Sequence, residues 1–179
     1  MIKINLGCGK RDFGNDWIHI DGGGYEHLDS ADIFNLPYEN NTIDLIYASH
    51  VIEYFNRKEV LSIIEKWKLK LKIGGVLRIA VPDFYQMSKL YIEKKYPLNN
   101  FLGPLYGQML MNNEVIYHRT TYDFVSLKNI LEKAGFSNIR KWDWRKTEHA
   151  KFDDHSQAHL PHMDKESGIL ISLNVECTK

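Results

Sequence analysis

The run "IDLIYA", Ile43 to Ala48, constrains the fold more than any other stretch of the chain. It is nearly continuously apolar, as a central parallel strand buried on both faces must be. Shorter β-type runs precede it. Ile2 to Leu6 ends in Gly7-Cys8-Gly9, and Trp17 to Ile20 ends in Asp21 and Gly22 to Gly24. A third, brief one spans Ala31 to Phe34 and is closed by Leu36-Pro37. Val60, Leu61, Ile64, Trp67 and Leu71 then recur at spacings of three and four, which predicts a helix over Arg57 to Leu71 with its Lys and Glu side chains outside. Gly74-Gly75 is read as its stop, and "GVLRIAVPD" as the next strand, ended by Pro82.

Asp83 is placed to cap a helix running to Lys95. Residues 97 to 121 mix Pro97, Gly103, Pro104 and Gly107 with Met and aromatics, a pattern read as a loop and short helix forming a lid or wall. Asp123 to Ala134 is a further helix, with Asp123 or Ser126 as cap and Gly135 as stop. Phe136 to Trp144 and Ile169 to Cys177 are the last two strands, separated by a polar, His-rich loop of about 24 residues. Loops of that length are more often functional than idle. The alternation predicts an α/β sandwich on a mainly parallel sheet with an antiparallel C-terminal strand pair. A single domain, 1–179, is expected.

Lys and Arg total 23 against 23 Asp and Glu, so the formal charge is zero and no nucleic-acid footprint is expected. Cys8 and Cys177 are too few for a disulfide scaffold and suit a reducing compartment. No stretch approaches the roughly 20 apolar residues of a membrane span. The first residues enter a strand directly without a leader, so the expected location is cytoplasmic.

The chemistry sits where strands end. In an open parallel sheet ligands bind beyond the carboxyl ends of the strands. Gly7 and Gly9 let backbone approach a bound molecule closely. The carboxylate of Asp21, with two oxygens, suits the paired hydroxyls of a ribose. Asp32 is placed to accept from an adenine amino group, with the Ile33 N–H donating to a ring nitrogen. Glycine, acid, acid on three adjacent strand ends suits an adenosine. A dinucleotide would need G-x-G-x-x-G, but Asp12 stands three after Gly9 where a pyrophosphate would lie, and no Walker-type lysine motif occurs.

"NLGCGK", "IHID", "ADIFNLPYENNTIDLIYASHVIEYF" and "LKIGGVLRIAVPD" resemble successive signature segments of class I S-adenosylmethionine-dependent methyltransferases, nearest the small bacterial type-11-like branch. The resemblance covers residues 3 to 85 and continues more weakly through "GPLYGQ", "LEKAGF" and "SLNVECTK". It implies a three-layer, Rossmann-like methyltransferase sandwich in which residues 1–96 form the cofactor half and 97–179 the acceptor-side wall and sheet-closing half. It implies further that Gly7, Cys8 and Gly9 line the methionine part of S-adenosylmethionine, that Asp21 holds the ribose, and that Asp32 and Ile33 hold the adenine. Ala48, Ser49 and His50 then lie near the transferred methyl. Two departures stand out. Lys10 to Asp16 and Gly22 to Ser30 are short for helical crossovers. Tyr54 also replaces a histidine that relatives often carry.

Each site residue has a plainer reading beside the functional one. Asp21 can start the Gly22–Gly24 turn, and Asp32 can cap a turn before Leu36-Pro37. Cys8 is read as a small packing residue, and Asp44 as a strand-start residue. His50 either faces the methyl or orders the loop to Glu53; His118 is the second candidate base. His149, His155, His159 and His162, with Asp153, Asp154 and Asp164, are read as a polar loop over the pocket, not as a metal site, because Pro161 opposes the helix that would align His155 with His159. The expected reaction is methyl transfer to an oxygen or nitrogen acceptor, a small molecule or sugar, with S-adenosylhomocysteine as product. An alcohol acceptor would use His50 or His118 as base. The alternative is a non-catalytic, methyltransferase-like binding or regulatory module.

Overall fold

The structure is a computed structural model that describes residues 1–179. The apolar run becomes β3 (Ile43–Ser49), at the centre of a six-stranded sheet. With β1 (Lys3–Leu6), β2 (Ile18–Ile20), α1 (Val60–Lys70) and β4 (Leu71–Pro82), it forms the first half of the chain. There follow α2 (Phe84–Glu93), α3 (Asn99–Tyr106), the hairpin of β5 (Met109–Met111) and β6 (Glu114–Ile116), and α4 (Phe124–Lys133). The chain closes with β7 (Ser137–Lys141), the small pair β8 (His159–Leu160) and β9 (Ile169–Leu170), and β10 (Ser172–Thr178). The strand order is β2-β1-β3-β4-β10-β7. β2, β1, β3 and β4 are parallel, and β10 runs antiparallel between β4 and β7. No helix is long and apolar enough to cross a membrane.

Period-two alternation sends the side chains of β3 to two different cores. Ile46 and Ala48 join the main apolar cluster with Ile64 and Trp67 of α1 and Leu127 and Leu131 of α4. Leu45 and Tyr47 face the other side, with Phe13 and Trp17. That second side is not closed by a helix between β1 and β2. The short crossover instead contributes Phe13, which stacks on Phe152 at 4.7 Å and on His149 at 5.4 Å. The Tyr47 hydroxyl donates to Asp154 Oδ2 at 2.5 Å and ties the C-terminal segment over this aromatic layer.

Both acid caps form as the sequence predicts. Asp83 accepts from the Gln86 N–H at 3.1 Å, and Asp123 and Ser126 form a reciprocal capping box. Such caps contribute about 1 kcal/mol each. Other expectations are corrected. The strand expected at Ala31 to Phe34 does not form; only an isolated bridge, Ile20 to Ser30, extends the sheet there. The cause is local: Asp32 Oδ1 accepts from the Phe34 and Asn35 N–H groups at 2.8 and 2.9 Å, which winds the chain into a turn. Gly74-Gly75 does not stop the helix. α1 ends at Lys70, and β4 already runs through both glycines. Gly74 sits at φ +79°, a Cβ on Gly75 would stand 2.9 Å from the Lys72 carbonyl, and the register with β3 shifts beside them. The pair is a bulge. The final strand breaks at Ile171 into β9 and β10, and the His-rich loop holds two short 3-10 turns, Trp144–Lys146 and His155–Gln157.

Candidate active site

Four elements meet at the carboxyl edge of the parallel strands. After β1, Gly7 turns at φ +67° and its N–H donates to the Ile20 carbonyl at 2.7 Å. A Cβ there would stand 2.3 Å from Val51 Cγ2, so glycine is required. Gly9 also has a positive φ, but its Cβ position meets no atom within 4 Å and opens onto free space. After β2, Asp21 lies buried with Oδ2 accepting from the Gly9 N–H at 2.8 Å and Oδ1 from the Gly23 N–H at 2.7 Å. The carboxylate thereby joins the two glycine turns. Each oxygen keeps acceptor capacity for one more donor.

Asp32 and Ile33 lie further out. The Asp32 carboxylate serves its own turn, and these hydrogen bonds, that to the Asn35 N–H first, hold it below the usual carboxylate range. The Ile33 carbonyl accepts from Trp67 Nε1 at 2.8 Å, which fixes the turn on α1 and leaves the Ile33 N–H without a partner in the chain. Cys8 is buried, and burial followed by the nearby Asp21 charge pushes its thiol up to about 12. A thiol in that state is a packing group.

After β3, Ala48 is fully buried and Ser49 ends the strand. His50 then adopts φ +55°, a conformation that costs a non-glycine residue energy and often marks a working site. Its N–H donates to the Ala80 carbonyl at 2.8 Å. The ring lies with Nδ1 3.3 Å from Glu53 Oε1, Nε2 3.3 Å from Ser172 Oγ, and its face against His155 at 5.2 Å. Burial and then His155 keep His50 well below the usual histidine range. His118 arrives from the hairpin side. Its Nδ1 is 3.0 Å from the Pro104 carbonyl and its Nε2 3.9 Å from the same Glu53 oxygen. Burial also lowers His118.

The structure thus brings both candidate bases to one buried acid that sequence reasoning missed as a functional group. Glu53 is fully buried, and neither of its carboxyl oxygens has a hydrogen-bond partner of good geometry. Burial holds it up at about 8. A carboxyl inside the apolar "VIEYF", three residues after a strand-end histidine, was the signal. Residues 97 to 121, expected as a loop and short helix, form α3 and the β5–β6 hairpin, and the hairpin side reaches the strand ends. Asn112 Nδ2 donates to the Gly22 carbonyl at 2.9 Å, and the N–H groups of Arg119 and Thr120 both donate to the Glu53 carbonyl. A separate cavity of about 470 Å³, beside Lys3, Asn15 and Trp17, lies at the opposite edge of the sheet, away from these groups.

A methyltransferase-domain family matches residues 19–79, a span that holds Asp21, Asp32, His50 and Glu53. Among solved structures, a SAM-dependent methyltransferase from Archaeoglobus fulgidus aligns over 99% of this chain and 85% of its own, with a TM-score of 0.59 at 14% identity. The chain shares the fold of class I S-adenosylmethionine-dependent methyltransferases. A second structural neighbour, the 1,6-didemethyltoxoflavin-N1-methyltransferase of Burkholderia thailandensis, was solved with bound 1,6-didemethyltoxoflavin and S-adenosylhomocysteine. It covers 99% of this chain and 70% of its own, with a TM-score of 0.55 at 10% identity. In sequence, the chain is 28% identical to the demethylmenaquinone methyltransferase of Staphylococcus haemolyticus over 126 residues, 64% of this chain. It spans about half the length of that curated relative, 49%. The cofactor of such methyltransferases is S-adenosylmethionine. The remaining acceptor capacity of Asp21 and the unpaired Ile33 N–H are compatible with its ribose and adenine, and the open space at Gly9 with its methionine part.

Proposed function

We propose that this protein transfers a methyl group from S-adenosylmethionine to an oxygen or nitrogen acceptor on a small molecule or sugar. The observation that carries the reading is Asp21: a buried carboxylate at the end of β2, held between the Gly9 and Gly23 N–H groups at the ligand-binding edge of a methyltransferase-type sheet. In this reading Gly7, Cys8 and Gly9 line the methionine part and Asp21 accepts from the ribose hydroxyls. The Ile33 N–H and the neighbouring Asp32 meet the adenine. Ala48, Ser49 and His50 border the methyl. When bound, the cofactor supplies the activated methyl on a sulfonium sulfur. The chain's residues align the acceptor with it and exclude water. A formal charge of zero supplies no net attraction for a polyanionic acceptor.

Calorimetric titration with S-adenosylmethionine tests this. Each charge-assisted bond contributes about 1.5–3 kcal/mol. Removing two in Asp21→Ala is therefore expected to raise Kd by about a hundredfold or more, and Asp21→Asn, which keeps the shape, by about tenfold. Unchanged affinity in both variants would remove Asp21 from the site. The thin wall after β1, with no helix between Gly9 and Trp17, favours one rival: a module that binds the cofactor without turnover. S-adenosylhomocysteine formation over a panel of acceptors separates the two.

A further inference from the structure

Hydrogen-bond direction along one row of side chains fixes where the protons sit around His50. The Ser156 carbonyl only accepts, so Asn174 Nδ2, at 2.9 Å, is its donor, and Asn174 turns Oδ1 towards Ser172. The Ser172 hydroxyl donates to that Oδ1 at 2.9 Å. With its one proton committed, Ser172 Oγ accepts from His50 Nε2. An uncharged imidazole carries a single N–H, so His50 Nδ1 is bare and faces Glu53 Oε1. On the far side, His118 Nδ1 donates to the Pro104 carbonyl, so His118 Nε2 is bare as well and faces the same oxygen.

A buried carboxyl between two bare nitrogens holds the proton itself. No cation faces it: the titratable groups around Glu53 are His50, His118, Tyr54 and Tyr122. Around His50 stand Glu53, His118, His155 from the C-terminal segment and Arg11 from the loop after β1. Burial raises the acid to about 8 and lowers both imidazoles, so the three groups are uncharged together at neutral pH.

Resting on the methyl-transfer reading above, we propose that Glu53 is the positioning residue for His50: its carboxyl sets which ring nitrogen is bare, and the acceptor it serves is a hydroxyl. With Glu53 protonated, His50 Nε2 carries hydrogen and has no lone pair to offer. With Glu53 ionised, Nδ1–H donates to the carboxylate, Nε2 becomes bare, and the Ser172 hydroxyl is free to turn towards it. Nε2 then takes the acceptor's O–H proton, directly or through Ser172. With the cofactor bound, its activated carbon–sulfur bond would break as the oxygen–methyl bond formed, the electron pair going to sulfur. The proton ends on the imidazole beside the carboxylate. A neutral amine brings its own lone pair and needs no such pair, whereas a hydroxyl does.

The first test needs no acceptor. Two-bond proton–nitrogen correlation spectra of the full-length protein, ¹⁵N-labelled at histidine, are recorded about two pH units either side of the Glu53 midpoint. His50 is expected to pass from Nε2–H to Nδ1–H, while His118 stays Nδ1–H. In Glu53→Gln the amide donates permanently to Nδ1, so His50 stays Nε2–H at every pH. A wild-type His50 whose tautomer does not change overturns the proposal, whether or not the variant folds. The second test reads S-adenosylhomocysteine over matched hydroxyl and amine acceptors. Turnover of the hydroxyl series is expected to rise tenfold per pH unit up to about 8 and then level. Glu53→Gln is expected to remove that limb and lower kcat by about a hundredfold or more, with the S-adenosylmethionine KM little changed. Turnover of amines alone, or a limb that survives in Glu53→Gln, overturns it. Failure to bind S-adenosylmethionine overturns instead the methyl-transfer reading and leaves the tautomer result standing.

Discussion

Replacing Glu53 by Gln should make the protein more stable, by an amount that depends on pH. Burial holds the Glu53 carboxyl at about 8, against 4.5 for an ordinary glutamate. Between those values the folded protein keeps a proton that the unfolded chain has released. The native state therefore binds more protons, and stability from this group falls as pH rises. The contribution is fully present below 4.5, is lost progressively up to about 8, and is flat above. At about 1.4 kcal/mol per pH unit, the loss is about 3 kcal/mol by neutrality and about 5 kcal/mol at the upper end. Glutamine has nearly the shape of the protonated acid and does not titrate. Urea unfolding of both proteins across a pH series isolates the effect, because every other titrating group cancels in the difference. The difference is expected to start near zero in mild acid and grow in favour of Glu53→Gln. A difference that stays flat with pH would show that the carboxyl is solvated or paired in the folded protein, and would refute the account of the buried acid.

Three other substitutions test the scaffold, each by chemical denaturation. Gly7→Ala places a methyl 2.3 Å from Val51 Cγ2 at φ +67°; left-handed strain of about 1–2 kcal/mol and overpacking of about 1–3 kcal/mol should add, and a loss under about 1 kcal/mol would contradict the clash. Trp67→Ala empties the centre of the main core and removes the donor to the Ile33 carbonyl. A loss of about 3–5 kcal/mol is expected, with weaker S-adenosylmethionine binding because the Asp32–Ile33 turn is released; full affinity would separate that turn from the site. Tyr47→Phe removes the buried donor to Asp154 and is expected to cost about 1–3 kcal/mol, with faster hydrogen exchange in residues 149 to 158. Unchanged exchange would show that the aromatic layer holds that segment without the hydroxyl.

Features whose cause is local could be read from the sequence. The apolar run at Ile43 announced a strand buried on two faces. Asp83 and Asp123 announced helix starts, because a cap needs only a side chain and an amide three residues on. The places of Gly7, Gly9 and Asp21 at strand ends were legible because backbone conformation and strand termination are local. Errors came where two local signals compete. Asp32 bonds forward to Phe34 and Asn35 and so prevents the strand its neighbours would form, and Gly74-Gly75 reads alike as a helix stop or as a bulge. His50 and His118 were named as candidates from the sequence, but the contacts that join them to Glu53 lay beyond sequence reasoning. His50 and Ser172 stand 122 residues apart, and the Asn174 and Ser156 that orient them meet only when β10 enters the sheet beside β4. Composition marks Glu53 as an ordinary surface acid. Only the packed structure withdraws it from water and sets it between the His50 and His118 rings, where the proposed base chemistry depends on it.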